Sequence, residues 1–323
     1  MVKTNRWGAL VAVGGALVAV SSLVLMLVVG ARPAEATFPG PNGKIAYAAD
    51  DGQSGGIDSE IYTITPTGRM PFNVTHNVTD DDDPDYSPDG KEIAYSAFDG
   101  NDYEIYTIEA TGGRPFQVTR NRTYDQAPSY SPDGKMIAYS CFEGNDPEVS
   151  NDSEICTIDA TGGRPFQVTN NTNKDDFSPD YSPNGNRIAY VSPDGFDYEI
   201  YTIKARGGDR SRVTNDDTTD GAPSYSPDGK RIAYHSYDGY DFEIYTIKVG
   251  GGDRFRVTNN TSRDEFDPDY SPNGEKIAYS GSRMSDPTGT GYEIFTINEG
   301  GGGKTRVTNN DTSDTDPSWG RRP

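Results

Sequence analysis

The chain repeats itself six times, and that repetition leaves few folds open. A Gly-x-x-Ile-Ala-Tyr run occurs at Gly90–Tyr95, Gly134–Tyr139, Gly185–Tyr190, Gly229–Tyr234 and Gly274–Tyr279, with a copy one residue shorter at Gly43–Tyr47; successive glycines lie 47, 44, 51, 44 and 45 residues apart. Glu-Ile-(Tyr/Cys/Phe)-Thr-Ile follows each copy, starting at Glu60, Glu104, Glu154, Glu199, Glu243 and Glu293. A Val-Thr ending comes next, at Val74, Val118, Val168, Val213, Val257 and Val307. A fourth run, Pro-x-Tyr-Ser-Pro-(Asp/Asn)-Gly, precedes the glycine run five times, from Pro84, Pro128, Pro179, Pro223 and Pro268. Four short β-rich runs per period, separated by turn residues, predict a four-stranded propeller blade, with strands A (PxYS), B (IAY), C (EIYTI) and D (xVT).

The first period lacks a good strand A. Its counterpart stands at the other end of the chain, at Asp316-Pro317-Ser318-Trp319-Gly320. The expected fold is therefore all-β: a six-bladed β-propeller of four antiparallel strands per blade, spanning residues 37–323, its ring closed by the C-terminal strand pairing with blade 1. Closure removes the free sheet edges of an open array. Blades are numbered here by their strand B. In the Ser-Pro-(Asp/Asn)-Gly turns, Pro presets φ, Asp or Asn caps the turn and Gly takes the positive φ.

The string Pro-x-Tyr-Ser-Pro-Asp-Gly-x-x-Ile-Ala-Tyr resembles the PD40, or WD40-like, repeat of TolB-like six-bladed propellers, over about residues 40–320. The resemblance implies a docking scaffold of the cell envelope. The same repeat also builds the propeller of dipeptidyl-peptidase-IV-like enzymes. TolB-type proteins carry an α/β domain ahead of the propeller and the peptidases a hydrolase domain after it; this sequence is expected to have neither.

Residues 1–36 read as an export signal: Lys3 and Arg6, an uncharged apolar stretch from Trp7 to Ala31, then Ala34-Glu35-Ala36. The stretch is long enough to remain as an anchor if it is not cleaved, which would be the protein's one membrane contact. An exported propeller, secreted, periplasmic or held at the outer face of a membrane, is expected. The compartment permits a disulfide between the two cysteines, Cys141 and Cys156, which fall on successive strands of one blade; two unbridged thiols on neighbouring strands are the alternative.

A formal charge of −21 excludes a nucleic-acid partner, because phosphate binding needs clustered Lys and Arg. Acids recur three residues before the strand A proline, at Asp81, Asp125, Asp176, Asp220, Glu265 and Asp314. B–C loop acids stand two residues before the strand C Glu, at Asp58, Asp102, Asp152, Asp197 and Asp241. Both sets point to one acidic face, suited to a basic protein or cell-envelope ligand, while Lys91, Lys135, Lys230, Arg114, Arg164, Arg206, Arg210 and Arg254 gather toward the other. The bland reading is that Asp and Asn cap their own turns. The position after the strand A proline alternates Asp85, Ser129, Asp180, Ser224, Asp269, Ser318, so three carboxylates on a pseudo-threefold near the channel could hold a cation. No cofactor is expected beyond a candidate Ca2+. Recurrent Tyr86, Tyr130, Tyr181, Tyr225, Tyr270 and Trp319 imply packing between blades. Phe98, Tyr103, Phe142, Phe196, Tyr198, Tyr237, Tyr240 and Phe242 lie in or beside B–C loops and suit a binding surface, and the longer loops 143–153 and 281–292 are candidates for specificity.

Catalysis has little support in the residues. There are two histidines, His76 and His235, at unrelated repeat positions; no Gly-x-Ser-x-Gly elbow and no zinc-spaced His/Cys cluster occur. The leading expectation is a non-enzymatic binding scaffold. The alternatives are a polysaccharide hydrolase or lyase using channel-mouth carboxylates and a divalent-cation-binding module.

Overall fold

The computed structural model describes residues 40–50, 58–142, 152–171, 174–195, 197–261, 263–282 and 291–323. The expected export segment, Phe196 and most of loops 143–153 and 281–292 lie outside the described residues.

The described residues form six four-stranded antiparallel sheets. Blade 2 shows the pattern, with strand A Asp81–Tyr86, B Glu92–Phe98, C Tyr103–Glu109 and D Phe116–Gln117. Blade 1 takes its strands B, C and D from Asn42–Asp50, Ser59–Ile64 and Phe72–Asn73, and its strand A from Asp314–Arg321 at the opposite end of the chain. Ile45 lies opposite Trp319 and Ala46 opposite Ser318, so the chain end closes the ring as the repeats imply.

Each core cluster sits between two blades. Ala46, Ala48, Ile61 and Val74 of blade 1 pack on Tyr86, Ile93, Tyr95 and Ile108 of blade 2. At the closure, Ala278, Ile294 and Val307 of blade 6 pack on Ile45, Tyr47, Ile64 and Trp319 of blade 1. The recurrent strand A tyrosines and Trp319 are all buried, in the inter-blade role the sequence implies. A single blade has no partner for either face, so the ring and the core form together.

Within a blade the strand B tyrosine meets an aromatic on strand C, as in Tyr95–Tyr106, Tyr190–Tyr201, Tyr234–Tyr245 and Tyr279–Phe295. Blade 3 has Cys156 in place of the strand C aromatic, and there Cys141 and Cys156 form a disulfide, their Cα atoms 5.8 Å apart across neighbouring strands. Cys156 thus takes the place of the strand C ring opposite Tyr139, and its partner Cys141 stands two residues beyond that tyrosine. Replacing both cysteines by Ser is expected to cost about 3 kcal/mol, the loop-closure figure for a 15-residue separation, measured by urea unfolding of both forms.

Strand A carries one feature that the repeats do not reveal. The residue before its proline has positive φ in all six copies: Asp83, Ala127, Ser178, Ala222, Asp267 and Asp316, with φ between 46° and 52°. The pairing register slips at this point, between Asp82 and Asp85 in blade 2 and equivalently elsewhere. This is a β-bulge built from non-glycine residues, a strained conformation sustained by its surroundings. It turns the bulge N–H sideways. Ala127 N donates to Ser96 Oγ at 3.1 Å, Ser178 N to Ser140 Oγ at 3.1 Å and Asp267 N to His235 Nδ1 at 3.4 Å, each on the preceding blade.

Candidate functional site

Strand direction puts the A–B and C–D turns at one end of the ring and the B–C and D–A loops at the other. The turn end is locally satisfied. In blade 2, Ser87 Oγ donates to Asp89 Oδ1, which also accepts from Lys91 N. Asn184 does the same through its single Oδ1, which is why Asp and Asn interchange there. Lys91, Lys135 and Lys230 pair with Asp89, Asp133 and Asp228 of their own turns, at 2.7, 3.2 and 2.8 Å. The charge of these three lysines is met within their own turns, Arg114, Arg164 and Arg206 are exposed, and Arg210 and Arg254 lie over Tyr201 and Tyr245, 3.8 and 4.1 Å from the ring centres.

The six recurrent acids ahead of strand A do not line an open face. Asp81, Asp125, Asp176, Asp220, Glu265 and Asp314 are buried at the blade interfaces, 0–1% exposed. At several junctions they confront the equally buried strand C glutamate of the preceding blade, as Asp125 does Glu104 and Asp314 does Glu293. A D–A loop asparagine clamps such pairs: Asn121 donates its N–H to Glu104 and its side-chain amide to Asp125 at 2.6 Å. Loss of solvation is the main cause that pushes these carboxyls up, Asp81 and Asp125 to about 8, Asp220 and Glu265 to about 7 and Asp314 to about 6. Of the B–C loop acids, Asp102 and Asp241 are buried and Asp197 half-buried.

The alternating Asp/Ser set does come together, as a girdle. Asp85 accepts Tyr130 N at 2.7 Å, Asp180 accepts Tyr225 N at 2.6 Å and Asp269 accepts Trp319 N at 2.5 Å. The serines bond the intervening junctions: Ser318 Oγ accepts Tyr86 N at 3.1 Å, Ser129 Oγ accepts Tyr181 N at 3.2 Å and Ser224 Oγ accepts Tyr270 N at 3.3 Å. Every blade is thereby bonded to the next at one level of the channel. The remaining cavity is about 20 Å³, room for about one water. The three carboxylates that the sequence offers as cation ligands are engaged with backbone amides. Burial still raises them, Asp85 to about 8 and Asp269 to about 6, with mutual repulsion adding to the shift at Asp85.

One level nearer the loop end, the strand A bulge brings a second group of acids to the channel. Asp267, Asp316 and Asp83 occupy the same bulge position on blades 6, 1 and 2, which are consecutive around the ring, while the remaining blades carry Ala127, Ser178 and Ala222 there. The three carboxyls act on one another, and burial, the largest cause, holds all of them above the usual range. His235 Nδ1 lies 3.9 Å from Asp267 Oδ1. Burial lowers the imidazole to about 4, so it is neutral near pH 7 and accepts the Asp267 amide. Room for this ring comes from Gly221 opposite, where a Cβ would stand 2.2 Å from His235 Nε2. The sequence shows these acids but not their convergence, because the bulge decides which way the residue points.

Around this acidic mouth, aromatic rings of the B–C loops join others that repeat counting overlooked. Phe98, Tyr103, Tyr124 and Phe142 form a chain of contacts with centroids 5.7–6.0 Å apart over blades 2 and 3. Tyr237, Phe242, His235, Phe266 and Tyr292 form another over blades 5 and 6, at 4.9–6.0 Å. Tyr124, Tyr237 and Tyr240 are exposed, Tyr240 at 83%. Tyr124, Phe266 and Tyr292 belong to D–A loops, strand A or the end of a B–C loop, so only folding sets them beside the B–C aromatics. The loop end therefore brings half-buried acids and exposed tyrosine rings together, one level above the girdle.

The sequence model of the TolB β-propeller domain family matches residues 142–322, more than half of the chain. Among solved structures, TolB from Acinetobacter baumannii is similar at 23% identity and a TM-score of 0.75, covering 88% of this chain and 68% of its own. A structure described as putative TolB from Agrobacterium tumefaciens is similar at 21% identity and 0.66, covering 82% and 88%. A chain from a nidogen–laminin complex shares the fold at 9% identity and 0.62, covering 86% and 98%. No curated protein matches by sequence.

Proposed function

The chain belongs to the TolB β-propeller domain family, and from that premise we propose that it is an exported, non-enzymatic scaffold whose loop end receives a basic protein segment or cell-envelope ligand. The observation that carries this reading is the arrangement at that end: two aromatic clusters accompany the converging, half-buried Asp83, Asp267 and Asp316. Tyrosine rings supply contact area at low entropy cost, and desolvated aromatic anchors dominate binding energy at protein interfaces. The carboxylates select for Lys and Arg and speed encounter. A chain from a nidogen–laminin complex shares the propeller fold, and docking by such a ring is in keeping with this reading. Export is supported by the basic-apolar-small order of residues 1–36 and by the disulfide.

The test is capture of envelope proteins by immobilised residues 37–323, compared with a Tyr124→Ala/Tyr240→Ala variant and with Phe116→Ala on the outer strand D. The loop-end variant is expected to lose most of the recovered partner and the control to keep it, with recovery falling as salt rises. Equal recovery by all three proteins overturns the reading.

A further inference from the structure

The six blades are internal copies, so each reports what the others could hold. The residue before the strand D valine divides them into halves: Asn73, Gln117 and Gln167 in blades 1–3, Arg212, Arg256 and Arg306 in blades 4–6. The arginines reach the buried strand C glutamates. Arg212 bonds Glu199 at 2.5 Å and also pairs with Asp194; Arg306 bonds Glu293 at 2.5 Å. In blade 5, Arg256 lies between Asp238 and Glu243, at 2.8 and 2.6 Å. Asp238, Asp241 and Glu243 bring one carboxylate oxygen each within 4.8 Å of one another, and the guanidinium supplies the cation for that cluster.

Blade 2 has the same cluster without the arginine. Asp99, Asp102 and Glu104 converge to the same 4.8 Å. The hairpin bond from Asp99 N to Asp102 O, 2.9 Å, sets the loop that makes them converge. Asp102 is 4% exposed and Glu104 fully buried; Asp102 Oδ1 has no hydrogen-bond partner, while Glu104 also meets Asp125 of blade 3. Asp241 Oδ1 is likewise unpartnered, but there Arg256 meets the charge of the cluster. Gln117 occupies the arginine position of blade 2 and brings no charge. Exposed Arg122 acts on Asp102 from the D–A loop, yet no ion pair reaches the three carboxylates among the described residues. Exposed Asp99 leaves one side of the cluster open to solvent.

We propose that Asp99, Asp102 and Glu104 form a divalent-cation site of the Ca2+ type in the B–C loop of blade 2, standing where blade 5 carries its own arginine. Hard oxygen ligands, three negative charges and an open side for waters match the flexible, water-completed shell of Ca2+ better than the strict octahedron of Mg2+. The site lies on the blade, apart from the Asp85, Asp180 and Asp269 girdle, and does not depend on the docking role of the loop end.

Calorimetric titration of residues 37–323 with CaCl2 tests it. One ion per chain is expected, with weaker heat from MgCl2. Gln117→Arg, which copies the blade 5 arrangement, is expected to weaken Ca2+ by at least about tenfold while keeping or raising the melting temperature; exposed Asp99→Asn is expected to weaken it comparably. Arg256→Gln is expected to open a second site and raise the stoichiometry to two. No binding to the parent protein overturns the proposal, and so does an affinity unchanged in both Gln117→Arg and Asp99→Asn.

Discussion

Replacing Trp319 by Ala is expected to lower the melting temperature of residues 37–323 by about 10 °C. Trp319 is 2% exposed, lies opposite Ile45 and packs among Ile45, Tyr47, Ala278 and Val307 at the one junction where the ends of the ring meet. Trp→Ala in a core costs about 3–5 kcal/mol, and each kcal/mol moves the midpoint of a domain this large by about 2–4 °C. Its indole N–H has no partner, so the loss is one of packing. Trp319→Phe keeps much of the ring contact and is expected to cost less than half as much. Removing Asp314–Pro323 altogether leaves the strand B edge of blade 1 unpaired and strips Asp269 of the amide it accepts; aggregation at room temperature is the expected result. Trp7 lies in the expected export segment, so Trp319 is the one tryptophan of residues 37–323 and its emission reports closure directly. A midpoint unchanged in Trp319→Ala would mean that the ring does not need its closing strand.

Stability is expected to rise as pH falls from 8.5 to about 5, with a midpoint roughly 10 °C higher at the acidic end. Asp81, Asp85 and Asp125 are raised to about 8 and Asp82, Asp220 and Glu265 to about 7, chiefly by burial. A carboxyl whose folded value exceeds its unfolded one favours the fold while protonated. That contribution is complete below the unfolded value and is lost as pH climbs through the folded values, here between about 6 and 8. His235 works the other way on the acid side. Its folded value of about 4 is below the unfolded imidazole's, so the fold is penalised as pH drops under the ordinary imidazole range. The two opposing slopes put the optimum near pH 5. Asp85→Asn keeps an acceptor for Tyr130 N without the buried charge; it is expected to raise the midpoint at pH 8.5 and change it little at pH 5. Asp159→Asn on the surface separates this from relief of net charge and is expected to do neither. A midpoint that falls steadily on acidification would contradict the buried-carboxyl account.

Much of the architecture is legible because propeller blades are written as local patterns. Alternation, turn chemistry and the displaced Asp316–Gly320 run specify strand order, blade number and closure without any long-range information. The same logic identifies Tyr86 and its equivalents as packing residues. What repeat counting finds but cannot orient is the acids. Asp81 and Asp125 share a sequence pattern with residues that face solvent, yet each turns toward a neighbouring blade and is buried.

What the residues alone determine is a closed ring of six sheets with its acids and rings concentrated in particular loops. What only the tertiary structure decides is the direction those side chains take. The reason is the strand A bulge: one residue with positive φ resets the alternation of inward and outward side chains, and sends Asp83, Asp267 and Asp316 into the channel while Asp85, Asp180 and Asp269 bond the blades together. Period-two alternation is a local rule, and a bulge is sustained by partners on the preceding blade, 31 to 38 residues away in sequence. The cation-type cluster of blade 2 has the same origin. Asp99, Asp102 and Glu104 are near neighbours in the chain, but whether an arginine reaches them is settled by the strand folded beside them.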